Sequence, residues 1–204
     1  MARTEVSIVN IALARLGITD PITSLTDTTA VEAVQANLVY AEVRDSLLSE
    51  YPWKFATKHV LLNSTYYDVE QDEFDYQYEY PANCLRVLRI YNDSLPVCPK
   101  NEYEVYAVGS EPDDSVMIIG TDVQNASADY IAQITDPTFF TPLFADCLAW
   151  RLAMELAVPL TRSFEKKDEL YKSYLLAVQS ALAADTTEGY RRLKARRNKY
   201  VGAR

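Results

Sequence analysis

Leu143-Phe-Ala-Asp-Cys-Leu-Ala-Trp-Arg-Leu-Ala-Met-Glu-Leu156 is apolar or small at almost every position, and its only charges are Asp146, Arg151 and Glu155. Thr141-Pro142 ahead of it is a good helix start, because proline at the first helical position forfeits no hydrogen bond. Pro159 is placed to stop the helix soon after its last apolar turn. A helix that is apolar nearly all round must be covered on most sides. This one is too short and too charged to span a bilayer, and no other stretch is a transmembrane candidate. The spacing therefore predicts the central helix of a bundle, with other helices around it.

Three further stretches supply them. Glu5 to Leu16 places Val6, Val9, Leu13 and Leu16 three and four apart, with Ile8 and Ile11 on a second side and Gly17 placed to end the helix. Thr29-x-x-Glu32 has the pattern of a capping box and opens a long helix that ends at Tyr51-Pro52-Trp53. Val34, Leu38, Ala41 and Leu48 mark one side of that helix, which can meet the central one. Val39, Val43 and Leu47 mark another side, which needs a different neighbour, a helix or a second subunit. Ser163 caps a last helix carrying Phe164, Tyr171, Tyr174, Leu175, Val178 and Leu182 on one face, to about Ala184.

Between these helices the period changes. Phe74, Tyr76, Tyr78 and Tyr80 alternate with Glu73, Asp75, Gln77 and Glu79, as in a strand with an aromatic and an acidic face. Val60–Thr65, Cys84–Tyr91, Glu102–Val108, Ser115–Ile119 and Ala128–Ile134 are further strand candidates, punctuated by proline, glycine and Asn92-Asp93. The expected fold class is α+β. Residues 1–56 and 137–184 form a four-helix bundle, and residues 57–136 form an inserted small antiparallel β barrel or sandwich. Residues 185–204 form an extended basic C-terminal arm.

The 204 residues carry 20 Lys+Arg and 29 Asp+Glu, a net charge of -9. Arg191 to Arg204 holds seven of the bases and no acid, leaving 13 bases against 29 acids, a balance of -16, for the rest. An acidic body repels nucleic acid, and a basic tail attracts polyanions or acidic protein. The arm, with Arg191, Arg192, Lys194, Arg196, Arg197, Lys199, Tyr200 and Arg204, has too few apolar residues to fold alone. It admits three readings: a solvated tail, a segment that docks on an acidic partner or adjacent subunit, or a DNA contact. The acidic segment with Asp68, Glu70, Asp72, Glu73 and Asp75 is a solvated strand face, a contact surface for a further protein or a cation site, though it lacks the glycine-centred spacing of a calcium loop.

Catalysis finds little support. A nucleophile needs a base beside it, or a metal set. His59 is the single histidine, and there is no Gly-x-Ser-x-Gly, P-loop or Cys-x-x-Cys. Three cysteines, Cys84, Cys98 and Cys147, at wide spacing suit neither a disulfide framework nor a zinc site, and point to a reducing compartment. No cofactor or metal is expected, and the N-terminus has no secretory signal. Trp53 and Trp150 read as core anchors. Tyrosine, at 15 residues, is in excess, as at interfaces.

Several pieces together resemble the head-to-tail adaptor, or tail tubular protein A, family of tailed bacteriophages. They are Ile8-Val-Asn-Ile-Ala-Leu-Ala-Arg-Leu-Gly17, Pro21-Ile-Thr-Ser-Leu25, the long helix ending Tyr51-Pro-Trp-Lys-Phe-Ala56, Tyr78-Glu-Tyr-Pro-Ala-Asn-Cys-Leu-Arg-Val87, and Phe140-Thr-Pro-Leu-Phe with Arg151-Leu-Ala-Met-Glu-Leu-Ala-Val-Pro-Leu-Thr161. The resemblance runs from about residue 5 to about 188 and leaves the arm outside; Asn83 stands where the pattern has aspartate. It implies a structural protein of the virion neck, made in the host cytoplasm, with no catalytic residues. Such adaptors form a closed homo-oligomeric ring of roughly twelve copies. The ring docks beneath the portal protein and meets a downstream tail or nozzle protein. Genomic DNA passes through its lumen without sequence-specific binding. On this view the arm contacts the portal or a neighbouring subunit, Val39, Val43 and Leu47 form an inter-subunit face, and the acidic segment faces the tail. The alternative is a tail-associated carbohydrate-binding or glycan-hydrolysing module.

Overall fold

The computed structural model describes residues 3–67, 73–92, 102–109 and 115–188. It is α+β, with four helices and two antiparallel sheets. The helices are α1 (Glu5–Leu16), α2 (Val31–Glu50), α3 (Pro142–Thr161) and α4 (Phe164–Thr187). The apolar stretch Leu143–Leu156 lies in α3, which packs against α1, α2 and α4. Phe144, Cys147, Leu148, Leu152 and Leu156 are fully buried along it.

Local chemistry sets most helix ends. The Thr4 hydroxyl accepts from the Ser7 amide and starts α1. Gly17, at φ 86°, closes it in the left-handed conformation that glycine adopts without steric cost. Thr141 caps α3 by accepting from the Phe144 amide, and Ser163 caps α4 by accepting from the Lys166 amide. Two boundary expectations need correction. The Thr29–Glu32 capping box does not form: α2 begins at Val31 with Ala30 at its cap, and Thr29 instead donates to the Asp27 carboxylate. Pro159 sits inside the last turn of α3, and the helix runs on to Thr161 before Arg162 ends it at φ 56°.

The strands are β1 (Thr57–Leu61), β2 (Ser64–Thr65), β3 (Tyr76–Glu79), β4 (Cys84–Tyr91), β5 (Tyr103–Val108), β6 (Val116–Thr121) and β7 (Ser127–Ala132). They form a three-stranded sheet, β1-β7-β4, and a four-stranded sheet, β2-β3-β6-β5. No closed barrel forms among the described residues. The stretch Val60–Thr65, expected as one strand, is split at Leu62-Asn63 and serves both sheets. Leu62, Tyr78, Val87, Ile90, Ile119 and Ala128 make an apolar core with residues from both sheets. Asn83 turns the chain into β4 at φ 59°, a conformation that asparagine tolerates better than most residues, and its carbonyl accepts from the Gln133 amide at 2.7 Å.

The helical core and the three-stranded sheet share one apolar cluster. Ile131 is buried in it, and Leu85, Leu88 and Ile134 pack against it. Trp53 is its anchor just after α2: the indole nitrogen donates to the Leu47 carbonyl at 3.0 Å, and the ring meets Phe144 edge-on at 5.1 Å. Burial with the N–H satisfied is the condition under which tryptophan stabilises a core.

Candidate functional site

Each of the three charges in the apolar stretch ties α3 to a neighbour. Asp146 holds Arg15 of α1, whose guanidinium also lies 3.9 Å from the centre of the Trp150 ring. Arg151 donates to Glu50 at 2.5 Å and Ser46 at 2.8 Å on α2, and to the Tyr174 hydroxyl of α4 at 3.3 Å. Glu155 accepts from Lys167 of α4 at 3.3 Å. These charges therefore join helices and are not set out for chemistry. The Cys147 thiol is pushed up to about 12, by burial first and by Asp146 second. A thiol held so far above neutrality is a poor nucleophile.

The most elaborate polar cluster lies on the three-stranded sheet. Asp129 is buried, and its carboxylate accepts from His59 Nδ1, Arg89 Nε and the Tyr91 hydroxyl, the last at 2.8 Å. Strand register brings them together: His59 and Arg89 both face Asp129 across β7. Burial pushes the carboxyl up, but the hydrogen bonds from His59, Tyr91 and Arg89 outweigh it and hold the group below its usual value. His59 is thus a residue satisfied by the Asp129 carboxylate. No group of three or more His, Cys, Asp or Glu side chains able to hold a metal lies among the described residues, and no described helix is long and apolar enough to cross a membrane.

Exposed large apolar side chains occur on the strands, as at Leu61 and Met117, and form ordered rows on two helices. Val31, Val34, Leu38 and Ala41 of α2 follow one another at three and four residues, and all are exposed; Leu38 is 68 % exposed. On a helix of 3.6 residues per turn they form one stripe. Glu42 flanks that stripe, Asp45 continues it, and the sole base of α2, Arg44, is buried and paired with Asp45. A second exposed row lies on α4, where Phe164 (73 % exposed), Tyr171 and Leu175 share a side.

This arrangement corrects the expected inter-subunit face. Leu47 is fully buried, Val43 is nearly so, and Val39 packs against the helical core. Of the side expected to meet α3, only Leu48 is buried, while Val34, Leu38 and Ala41 face outward. The reason is steric. Ala33 and Ala36 occupy the inner face with Tyr40, Val43 and Leu47, and their small side chains let α2 approach the core with that face. Of the acidic segment, Glu73 and Asp75 are exposed, and the Asp75 amide donates to Asp122 at 3.2 Å. Asp68, Glu70 and Asp72 lie outside the described residues, as do Cys98 and the basic side chains from Arg191 to Arg204 with Tyr200.

No protein-family model matches the chain, and no curated protein matches it significantly.

Proposed function

We propose that the chain is a structural subunit that assembles into a closed ring, acting as a head-to-tail adaptor in a phage virion neck. In this reading about twelve copies dock beneath a portal protein, connect the capsid to the tail and surround the path of ejected DNA. The helical parts form the bundle of the subunit, and residues 57–136 form its inserted module. The observation that carries the proposal is the pair of unpartnered apolar rows on different helices, Val31–Val34–Leu38–Ala41 on α2 and Phe164–Tyr171–Leu175 on α4. Exposed apolar rows on two helices suit contacts with more than one neighbour, and head-to-tail contacts close into a ring when the rotation from copy to copy closes. The acidic body fits a lumen along which DNA slides, because retained phosphates need basic partners. The residues quoted above for their resemblance to adaptors support the same reading. The arm supplies a contact to the portal or to a neighbour, and Glu73 and Asp75 belong to a surface for the next tail protein.

The test is mass photometry and negative-stain imaging of the purified full chain, alone and with a portal protein. Rings with an open centre, or monomers that add to the portal as a closed ring, are expected. A chain that stays monomeric and ignores the portal overturns the proposal. A second reading, glycan binding by a tail-associated module, draws on a groove of about 400 Å³ beside β1, lined by Leu61, Tyr80, Pro81 and Tyr130. Tyrosine faces suit sugar rings, and a glycan-array screen of the full chain tests it.

A further inference from the structure

The exposed stripe of α2 has a charge problem as well as an apolar one. Glu42 beside it is acidic and exposed, and α2 has no exposed base to offset it; Asp45 further along is already paired with Arg44. A second α2 is a poor cover, because it brings its own Glu42 and no exposed base to meet it. The exposed side of α4 is also a poor cover, since it carries Glu165, Asp168 and Glu169, with Lys166 paired to Glu169, Lys167 paired to Glu155 and only Lys172 of the α4 lysines left over. One segment of the chain has surplus base: residues 189–204 hold Arg191, Arg192, Lys194, Arg196, Arg197, Lys199 and Arg204, interspersed with Leu193, Tyr200 and Val201. Its composition complements an apolar stripe with an acidic margin.

We infer that the basic C-terminal arm of one copy docks across the α2 stripe of the next copy in the ring. The inference rests on the adaptor reading and names the contact that would fasten it. The arm is long enough for either stripe, and the head-to-tail reading selects the neighbour's. The arm starts where Lys54 holds the end of α4, its amide donating to Asp185 at 3.2 Å and its ammonium to the Thr186 carbonyl at 3.0 Å. That flank is the one where Glu50 of α2 accepts from Tyr174 of α4 at 3.2 Å. At about 100° per residue, the stripe residues lie about 100–180° round α2 from Glu50. The last turn of α4 therefore lies beside the segment that follows α2, and the stripe lies on a different side of α2 from Glu50. Sixteen residues reach about 55 Å when extended, and the stripe from Val31 to Ala41 is about 15 Å long, so length is no obstacle.

Photo-cross-linking of the full chain tests the inference. Leu38→p-benzoylphenylalanine places the probe on the stripe, Leu176→p-benzoylphenylalanine is the control on α4, and copies labelled with ¹⁴N and ¹⁵N are mixed before irradiation. The expected result is a mixed-isotope cross-link from position 38 to residues 189–204, absent from the control. E42K is expected to lower its yield about fivefold, in line with the reversal of one rim charge. Cross-links from position 38 to α4, to the arm of the same copy or to nothing overturn the inference. Mass photometry of the same samples separates the two failures. Rings without the arm cross-link remove the arm contact and leave the adaptor reading standing; a chain that neither assembles nor binds a portal removes both.

Discussion

Leu38 and Leu47 are leucines on the same helix, and replacing each should damage a different property. Leu47 is fully buried, between the Trp53 anchor and the helical core. Truncating such a leucine costs its transfer free energy plus a cavity term, about 3 kcal/mol within a usual span of about 2–5. For a chain of this size each kcal/mol lowers the melting temperature by about 2–4 °C, so Leu47→Ala should lose about 6–12 °C. Leu38 is 68 % exposed, and Leu38→Asp should change folding stability by less than about 0.5 kcal/mol. If copies cover Leu38, however, the same change removes about 1.5–3 kcal/mol of apolar burial and adds a charge to an acidic margin. Association should then weaken about 10- to 150-fold. Thermal melts by circular dichroism and a dilution series by mass photometry read the two properties separately. Two results would refute the reasoning. One is a Leu38→Asp chain that melts several degrees low, which would mean that α2 is rotated on its axis. The other is a Leu38→Asp chain that assembles like the parent, which would mean that the stripe is not an interface.

Asp129→Asn should destabilise the chain by about 1–3 kcal/mol at neutral pH, toward the lower end because His59 and Arg89 are partly solvated. The folded carboxyl is held below its unfolded value of about 3.9, so its contribution is complete above that pH and is lost as pH falls through the folded value. Parent and variant should therefore converge in acid; urea melts at several pH values check this. Gly120→Ala should lower stability by about 1–3 kcal/mol, since a Cβ there would meet Phe74 at 2.7 Å and Tyr106 at 3.0 Å. The same melts, at neutral pH, measure it. Cys147 should resist iodoacetamide in the native chain and react once urea unfolds it, which mass spectrometry of the labelled peptides would show, because the thiol is buried and held at about 12.

Helix content was legible because it depends on local rules. The alternation of small and large apolar residues through α3, the Thr141-Pro142 start and the Gly17 stop each act within a few residues, and each lies where those rules place it. The sheets were legible as strands but not as partners. Nothing near Val60 says that the chain leaves one sheet at Leu62 and enters the other at Ser64. The Asp129 cluster was invisible for the same reason. His59, Arg89 and Asp129 lie on three strands, and only pairing in register makes them neighbours. Once that register is known, the charges on either side of Asp129 are the signal that finds the cluster.

The α2 helix is the case where pattern alone fails, because it is apolar on more than one side. Counting apolar side chains gives Val34, Leu38 and Ala41 as much claim to the core as Val39, Val43 and Leu47. The structure puts Ala33 and Ala36 inside and leaves Val31, Val34 and Leu38 outside. Burying a valine or leucine side chain is worth about 1.5–3 kcal/mol, more than an alanine can return. A helix selected only for the stability of an isolated subunit would therefore turn its large residues inward. The first turns of α2 do the reverse, with Ala33 and Ala36 inside, while Tyr40, Val43, Leu47 and Leu48 are buried further along. This is consistent with a helix whose first half serves two surfaces, one closing the subunit through small residues and the other held for a partner. That is why the interface proposal rests on α2 more than on α4. The large residues of α4 fall on both sides of the helix, with Leu170, Tyr174 and Val178 already buried, so its exposed row is the weaker claim.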